Sequence, residues 1–231
     1  CGGGVYTRKG YAEKIAKEKC LTVKKRVNIG SEQELRGNLN TKLAQIYDDL
    51  GTTNAKLYIT ASKVNDNFRS QIATLLPYKG NRTGRVKPFH YKKIRNILKD
   101  EYGAIVVHGQ EADDAIAIEQ TKICKHHGNY DMSYIATIDK DLRTVPGFHY
   151  HLGTRYIDYV SEDEALKNFY RQLLVGDATD NIPGLVKLLK LNNREEEANK
   201  LIYGKYISLF NEKILDHTPQ EAYNCVLNMY N

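Results

Sequence analysis

Residues 104–128 read AIVVHGQEADDAIAIEQTKICKHHG. The apolar run at 104–107 has the make-up of a buried strand, and Gly109 follows it. From Glu111 onward apolar residues recur at helical spacing until Gly128 supplies a stop. A strand that passes its chain straight to a helix is the repeating unit of an α/β fold. The pattern extends in both directions. Upstream, SEQELRGNLNTKLAQIYDDLG (31–51) predicts a helix with a Ser cap, Glu34 three residues on and a Gly stop, and AKLYITAS (55–62) predicts a short strand. YKKIRNILKDEYG (91–103) reads as helix and SYIATI (133–138) as strand. FHYHLGTRYIDYV (148–160) alternates around Gly153 like a hairpin, and SEDEALKNFYRQLLVG (161–176) is a helix opened by a capping box. The expected fold is α/β: a mainly parallel central sheet flanked by helices.

With 231 residues, 41% of them hydrophobic, the chain can bury a sizeable core. No apolar run reaches the roughly 18 residues of a membrane span, and no signal-peptide pattern opens the sequence, so a cytosolic setting is expected. Cys1, Cys20, Cys124 and Cys225 lie far apart with no CxxC pair, which predicts reduced thiols and no zinc site. Net charge is +6, unevenly spread. Between Lys79 and Lys99 stand eight Lys or Arg and no acid, whereas Glu111 to Asp141 holds seven acids against three Lys. Tyr78, Phe89 and Tyr91 interleave with the basic run, which reads either as a solvated face or as a nucleic-acid surface with stacking aromatics. The basic stretch 8–26 reads as a solvated helix or arm.

The acids fall at particular places. Asp139 and Asp141 follow one predicted strand, and Glu111, Asp113 and Asp114 follow another. Asp begins turns and acids cap helices, so either group has an ordinary explanation. Yet both groups sit at the carboxyl ends of predicted parallel strands, where open α/β sheets form their ligand crevices. A third pair, Asp177 and Asp180, lies in GDATDNIPG (176–184). So many carboxylates in one pocket repel unless cations neutralise them. Oxygen-only ligands suit Mg²⁺ or Mn²⁺, and two such ions can activate water and stabilise the leaving oxygen of a phosphodiester. His149 and His151 alternate on a strand and read as surface residues rather than ligands.

GQEADD (109–114), TIDKDL (137–142) and GDATDNIPG, with NFR (67–69) and LPYKGNR (76–82) upstream, resemble the bacteriophage and bacterial 5′ nuclease family, structure-specific 5′ to 3′ exonucleases and flap endonucleases with a PIN-like core. The resemblance runs from about Ala55 to Leu209. It implies a metal-dependent nuclease core over 1–165, with a basic helical arch at about 68–99, and a helix-three-turn-helix-like duplex-DNA-binding region over 166–231. It implies first-site metal ligands at Glu111 and Asp113, with Asp114 direct or through water, and second-site ligands at Asp139, Asp141, Asp177 and Asp180. Lys79 and Arg82 resemble the basic pair on the scissile phosphate. Tyr78, Arg85, Lys87, Lys187 and Lys190 join them as expected nucleic-acid contacts, and a monovalent cation is expected near Ile182–Leu185. The implied partner is flapped, branched or 5′-ended DNA, or an RNA:DNA hybrid. The implied setting is replication or repair in the cytoplasm of a bacterium or phage-infected host.

Departures from the family pattern qualify that expectation. The family opens on a strand carrying a metal-binding Asp, and CGGGVYTRKG (1–10) shows none; residues upstream of this chain or a natural loss both account for it. A further family Asp falls on Ser62, and Asp66 is offset by four residues. The second Gly-x-Gly turn after NIPG is replaced by GLVKLLKLNNREEEANKL (184–201). An incomplete first metal site follows, and with it the alternative of a branched-DNA-binding protein with weak or no cleavage; a third reading, an RNA-cleaving toxin of the PIN-like group, shares the acids but not YKGNR or GDATDNIPG.

Overall fold

A computed structural model describes residues 30–61, 67–82, 87–203 and 218–230. In chain order these form α1 (Glu32–Leu50), β1 (Tyr58–Thr60), α2 (Phe68–Ile72), α3 (Tyr91–Asp100), β2 (Ile105–Val107), α4 (Ala112–His127), β3 (Tyr134–Thr137), β4 (Gly147–His151), β5 (Ile157–Val160), α5 (Glu162–Val175), β6 (Gly176–Asp177), β7 (Ile182–Pro183), α6 (Leu185–Leu191), α7 (Glu195–Tyr203) and α8 (Pro219–Tyr230). Short 3₁₀ turns stand at Gly80–Arg82 and Lys140–Thr144. The fold is mixed α/β. Among the described residues no helix is long and apolar enough to cross a membrane. The chain divides into two compact units, Cys1–Leu57 with Arg85–Ile105, and Tyr58–Gly84 with Val106–Asn231.

The first unit rests on α1 and α3. Ser31 Oγ accepts from the Glu34 N–H at 3.1 Å while Glu34 returns a bond to the Ser31 N–H at 2.7 Å, and Gly51 ends the helix at φ 62°. These local bonds satisfy orphan groups at both helix ends. Leu35, Leu39 and Leu43 recur every fourth residue and lay one stripe against Ile97 of α3. Each fully buried side chain of this kind is worth about 1.5–3 kcal/mol. Outside that core, Tyr91 lies beneath two cations, with Lys87 Nζ 4.4 Å and the Arg95 guanidinium 5.6 Å from its ring centre.

The second unit holds a three-stranded sheet ordered β3-β4-β5. β3 and β4 run parallel with Tyr134 opposite Phe148, and β4 and β5 run antiparallel with Phe148 opposite Tyr159. The hairpin expected around Gly153 is therefore present, and the parallel pairing lies at β3-β4. Period-2 alternation places Ile135, His149 and Val160 on one buried face and stacks Tyr134, Phe148 and Tyr159 in a cross-strand row on the other, where Tyr150 is also buried. His149 is buried, not on the surface as the sequence predicts, because it shares the face of Ile135 and Val160; its ring bonds the Val145 carbonyl at 2.9 Å. Ile116 and Ala117 of α4 cover Ile135, Leu142 and Val145. β1 pairs with β2, which is shorter than the sequence predicts and leaves Ile105 exposed.

A second core in this unit joins the C-terminal helices through Tyr170, Leu174, Leu185, Leu189, Ala198, Ala222 and Val226. Ahead of it, GDATDNIPG folds as a tight hairpin of β6 and β7, with Gly176 opposite Pro183. Gly176 takes φ 71°, and a Cβ built there would sit 2.2 Å from the Gly184 nitrogen. Only glycine tolerates both demands.

Candidate active site

Three segments of the second unit carry the acids. Glu111 is the N-cap of α4, with Asp113 and Asp114 in its first turn, and Thr60 at the end of β1 accepts the Ala112 N–H at 2.9 Å. Asp139 caps the 3₁₀ turn after β3 and accepts the Asp141 N–H at 3.0 Å. Asp177 uses one oxygen in the same way on the Thr179 N–H at 2.8 Å. The turn-forming reading of these aspartates thus holds, and it leaves each a second oxygen. Asp141 is steadied by Gln172 Nε2 at 2.8 Å.

All seven acids line one cleft of about 530 Å³, together with four cations, Arg69, Lys79, Arg82 and Lys140. The balance inside the cleft is therefore acidic although the chain as a whole is basic. The cations do not share their charge evenly. Arg69 grips Asp114 with two parallel bonds of 2.6 Å, and Asp114 also accepts the Glu111 N–H at 2.9 Å. Lys79 Nζ bonds Glu111 and lies 3.5 Å from Asp180, which Arg82 also reaches at 2.5 Å. The Tyr78 hydroxyl reaches Glu111 at 2.5 Å and Asp180 at 2.8 Å.

Burial pushes the Glu111 and Asp114 carboxyls up, but the hydrogen bonds from Lys79 and Tyr78, and from Arg69, hold both below the ordinary range. Burial together with the bonds to Glu111 and Asp180 raises the Tyr78 hydroxyl and keeps it protonated. Asp113 stands apart: it accepts no hydrogen bond from a described residue, and burial plus repulsion from Asp139, Glu111 and Asp114 pushes it up to about 6. Burial, then Asp139 and Asp177, raise Asp141 as well.

An all-oxygen donor set with surplus negative charge and one orphaned, partly buried carboxylate has the chemistry of a hard divalent-cation site. Asp113, Asp139, Asp141 and Asp177 are the residues with charge left to offer. Among the described residues no three or more His, Cys, Asp or Glu already converge as a ligand group. An ion would therefore have to draw these oxygens inward.

The crystal structure of T5 D15 protein co-crystallised with metal ions is similar to this chain, with a TM-score of 0.50 and 15% sequence identity over 83% of this chain and 91% of that one. No protein-family model matches the sequence. No curated protein matches it. The likeness at this identity is one of fold.

Lys87, Lys187 and Lys190 do not line the cleft. Lys87 belongs to the first unit, where it covers Tyr91, while Lys187 and Lys190 are exposed on α6. Ile182–Leu185, the expected monovalent-cation segment, forms β7 and the start of α6, with Gly184 as its N-cap. Ser62, Asp66 and Arg85 lie outside the described residues. Arg69 and Gln172 contribute to the site and carry no role in the sequence reading. The NFR segment was the available signal for Arg69, whereas Gln172, on a helix face, had none.

Proposed function

We propose that this protein is a metal-dependent 5′ nuclease that hydrolyses phosphodiesters in flapped, branched or 5′-ended DNA, with RNA:DNA hybrids as a related substrate, in the cytoplasm of a bacterium or phage-infected host. One observation carries the reading: the acids of GQEADD, TIDKDL and GDATDNIPG line a single cleft with Lys79 and Arg82. The fold shared with a protein crystallised with metal ions supports it. Bound Mg²⁺ or Mn²⁺ would supply an activated water and charge stabilisation on the leaving oxygen. The chain's own residues do the rest. Asp113, Asp139, Asp141 and Asp177 would hold the cation, Gln172 orients Asp141, and Arg69 keeps Asp114 ionised. Lys79 and Arg82 would neutralise the phosphate, and the exposed Lys187 and Lys190 of α6 would contact the backbone.

A second reading, a protein that grips branched DNA with little cutting, is favoured by the lack of a ready-made ligand group among the described residues. Incubation with a 5′-flapped duplex and Mn²⁺ separates the two. The nuclease reading predicts shortened products that disappear with chelator, and binding without products supports the alternative.

A further inference from the structure

Two short segments 95 or more residues apart in sequence are bolted together at the acidic cleft. The Lys79 N–H donates to the Asp180 carbonyl at 2.9 Å, Asn81 Nδ2 to the Ala178 carbonyl at 2.6 Å, Arg82 Nε to the Thr179 carbonyl at 3.1 Å, and Asn181 Nδ2 to the Pro77 carbonyl at 3.0 Å. The side chains of Lys79 and Arg82 then complete the contact on Glu111 and Asp180. Lys79 takes φ 55° and Asn181 φ 62°, so two non-glycine residues sit in the left-handed region at the joint. That conformation is uncommon for lysine and persists only where surrounding contacts enforce it.

From this we infer that Lys79 and Arg82 form an internal clasp that neutralises Glu111 and Asp180 beside the carboxylates that would hold a metal, and that an arriving divalent ion displaces them and turns them toward phosphate. The inference rests on the proposed metal-binding role of the cleft. The physical ground is exclusion. Glu111 and Asp180 already meet the Lys79 ammonium, and Asp180 meets the Arg82 guanidinium at 2.5 Å. A divalent ion held by Asp113 and its neighbours would share the cleft with both positive heads, and Asp113 already feels the Lys79 charge, so ion and clasp repel in a half-buried site. Once released, the two heads stay at the mouth of the cleft on a short tether. They become free phosphate ligands only when the ion is present. Metal and polyanion therefore bind with positive coupling, and linkage requires that each tightens the other by the same factor.

The test titrates Mn²⁺ into the native chain and into the Lys79→Met, Arg82→Met variant, reading free ion by electron paramagnetic resonance. Removal of the internal competitors should tighten Mn²⁺ binding by roughly tenfold, within the range of coupling energies between sites. Equal or weaker affinity in the variant overturns the clasp and leaves the metal site standing. Absence of binding in both proteins overturns the clasp and the metal reading together. Hydrogen exchange on the native chain needs no variant: Mg²⁺ should lower protection across residues 77–82 and 178–181. Unchanged or increased protection at saturating Mg²⁺ contradicts the displacement.

Discussion

Replacing Asp113 with Asn should stabilise the metal-free protein at neutral pH. The carboxyl is lifted from an ordinary 3.8 to about 6 by burial and by Asp139, Glu111 and Asp114. A group with a raised folded-state pKa binds its proton more tightly folded than unfolded. Stability is therefore greatest below about pH 4 and falls as pH rises from there to about 6, after which the full penalty of the charge is present. At about 1.36 kcal/mol per pKa unit the gap amounts to roughly 3 kcal/mol, and partial solvation of the carboxylate cuts this to about 1–2 kcal/mol. Asn keeps the shape and removes the charge. In chelator at pH 7 the variant should melt about 3–6 °C above the native chain. The two should converge by about pH 4, where the native carboxyl is protonated. Adding Mn²⁺ should reverse the order, since only the native chain keeps the ligand. A variant that melts lower at pH 7, or by an equal amount at both pH values, refutes the claim that Asp113 is an unrelieved charge.

Arg69→Met should cost about 1–3 kcal/mol in urea denaturation at pH 7, because it strands the partly buried Asp114 carboxylate. Asp114 lies below its ordinary range, so that cost is present above about pH 4 and fades as pH falls further. Gly176→Ala should destabilise by more than about 3 kcal/mol, since the new Cβ meets the Gly184 backbone, whereas Gly128→Ala, left-handed but facing open space, should cost about 1 kcal/mol; comparable losses at the two sites count against the tight hairpin. Lys79→Ala with Arg82→Ala should weaken oligonucleotide binding in Mg²⁺ and flatten the log K against log salt slope by about one to two units, as measured by fluorescence anisotropy.

Much of the fold was legible because it is local. Ser31, Glu34 and Gly51 bracket α1 within the chain that they cap, and the alternation across 148–160 marks β4 and β5 without reference to distant residues. Which face is buried was less legible. His149 reads as a surface residue until the Val145 carbonyl is known to lie beside it, and Ile105 reads as buried until the short β2 leaves it open. In the cleft, the placing of acids at strand and helix ends could be read from period changes alone. The pairing among them could not. Arg69 meets Asp114 across 45 residues and Tyr78 meets Asp180 across 102, and no local pattern encodes such contacts. The consequence is chemical. Glu111, Asp114 and Asp180 are alike in sequence to Asp113 and Asp141, yet the first three are matched by cations or a hydroxyl and the other two are not.

The central claim, that the acidic cleft cuts phosphodiesters with a divalent ion, is tested most directly by one comparison: cleavage of a 5′-labelled flapped duplex in Mn²⁺ by the native chain and by the Asp139→Asn, Asp141→Asn variant, with binding of the same duplex measured in parallel. The account predicts chelator-sensitive products from the native chain, none from the variant, and duplex binding by the variant that is equal or tighter because two charges that repel phosphate are gone. Products that persist in the variant, or a native chain that binds the duplex and releases no product in Mn²⁺, would contradict it.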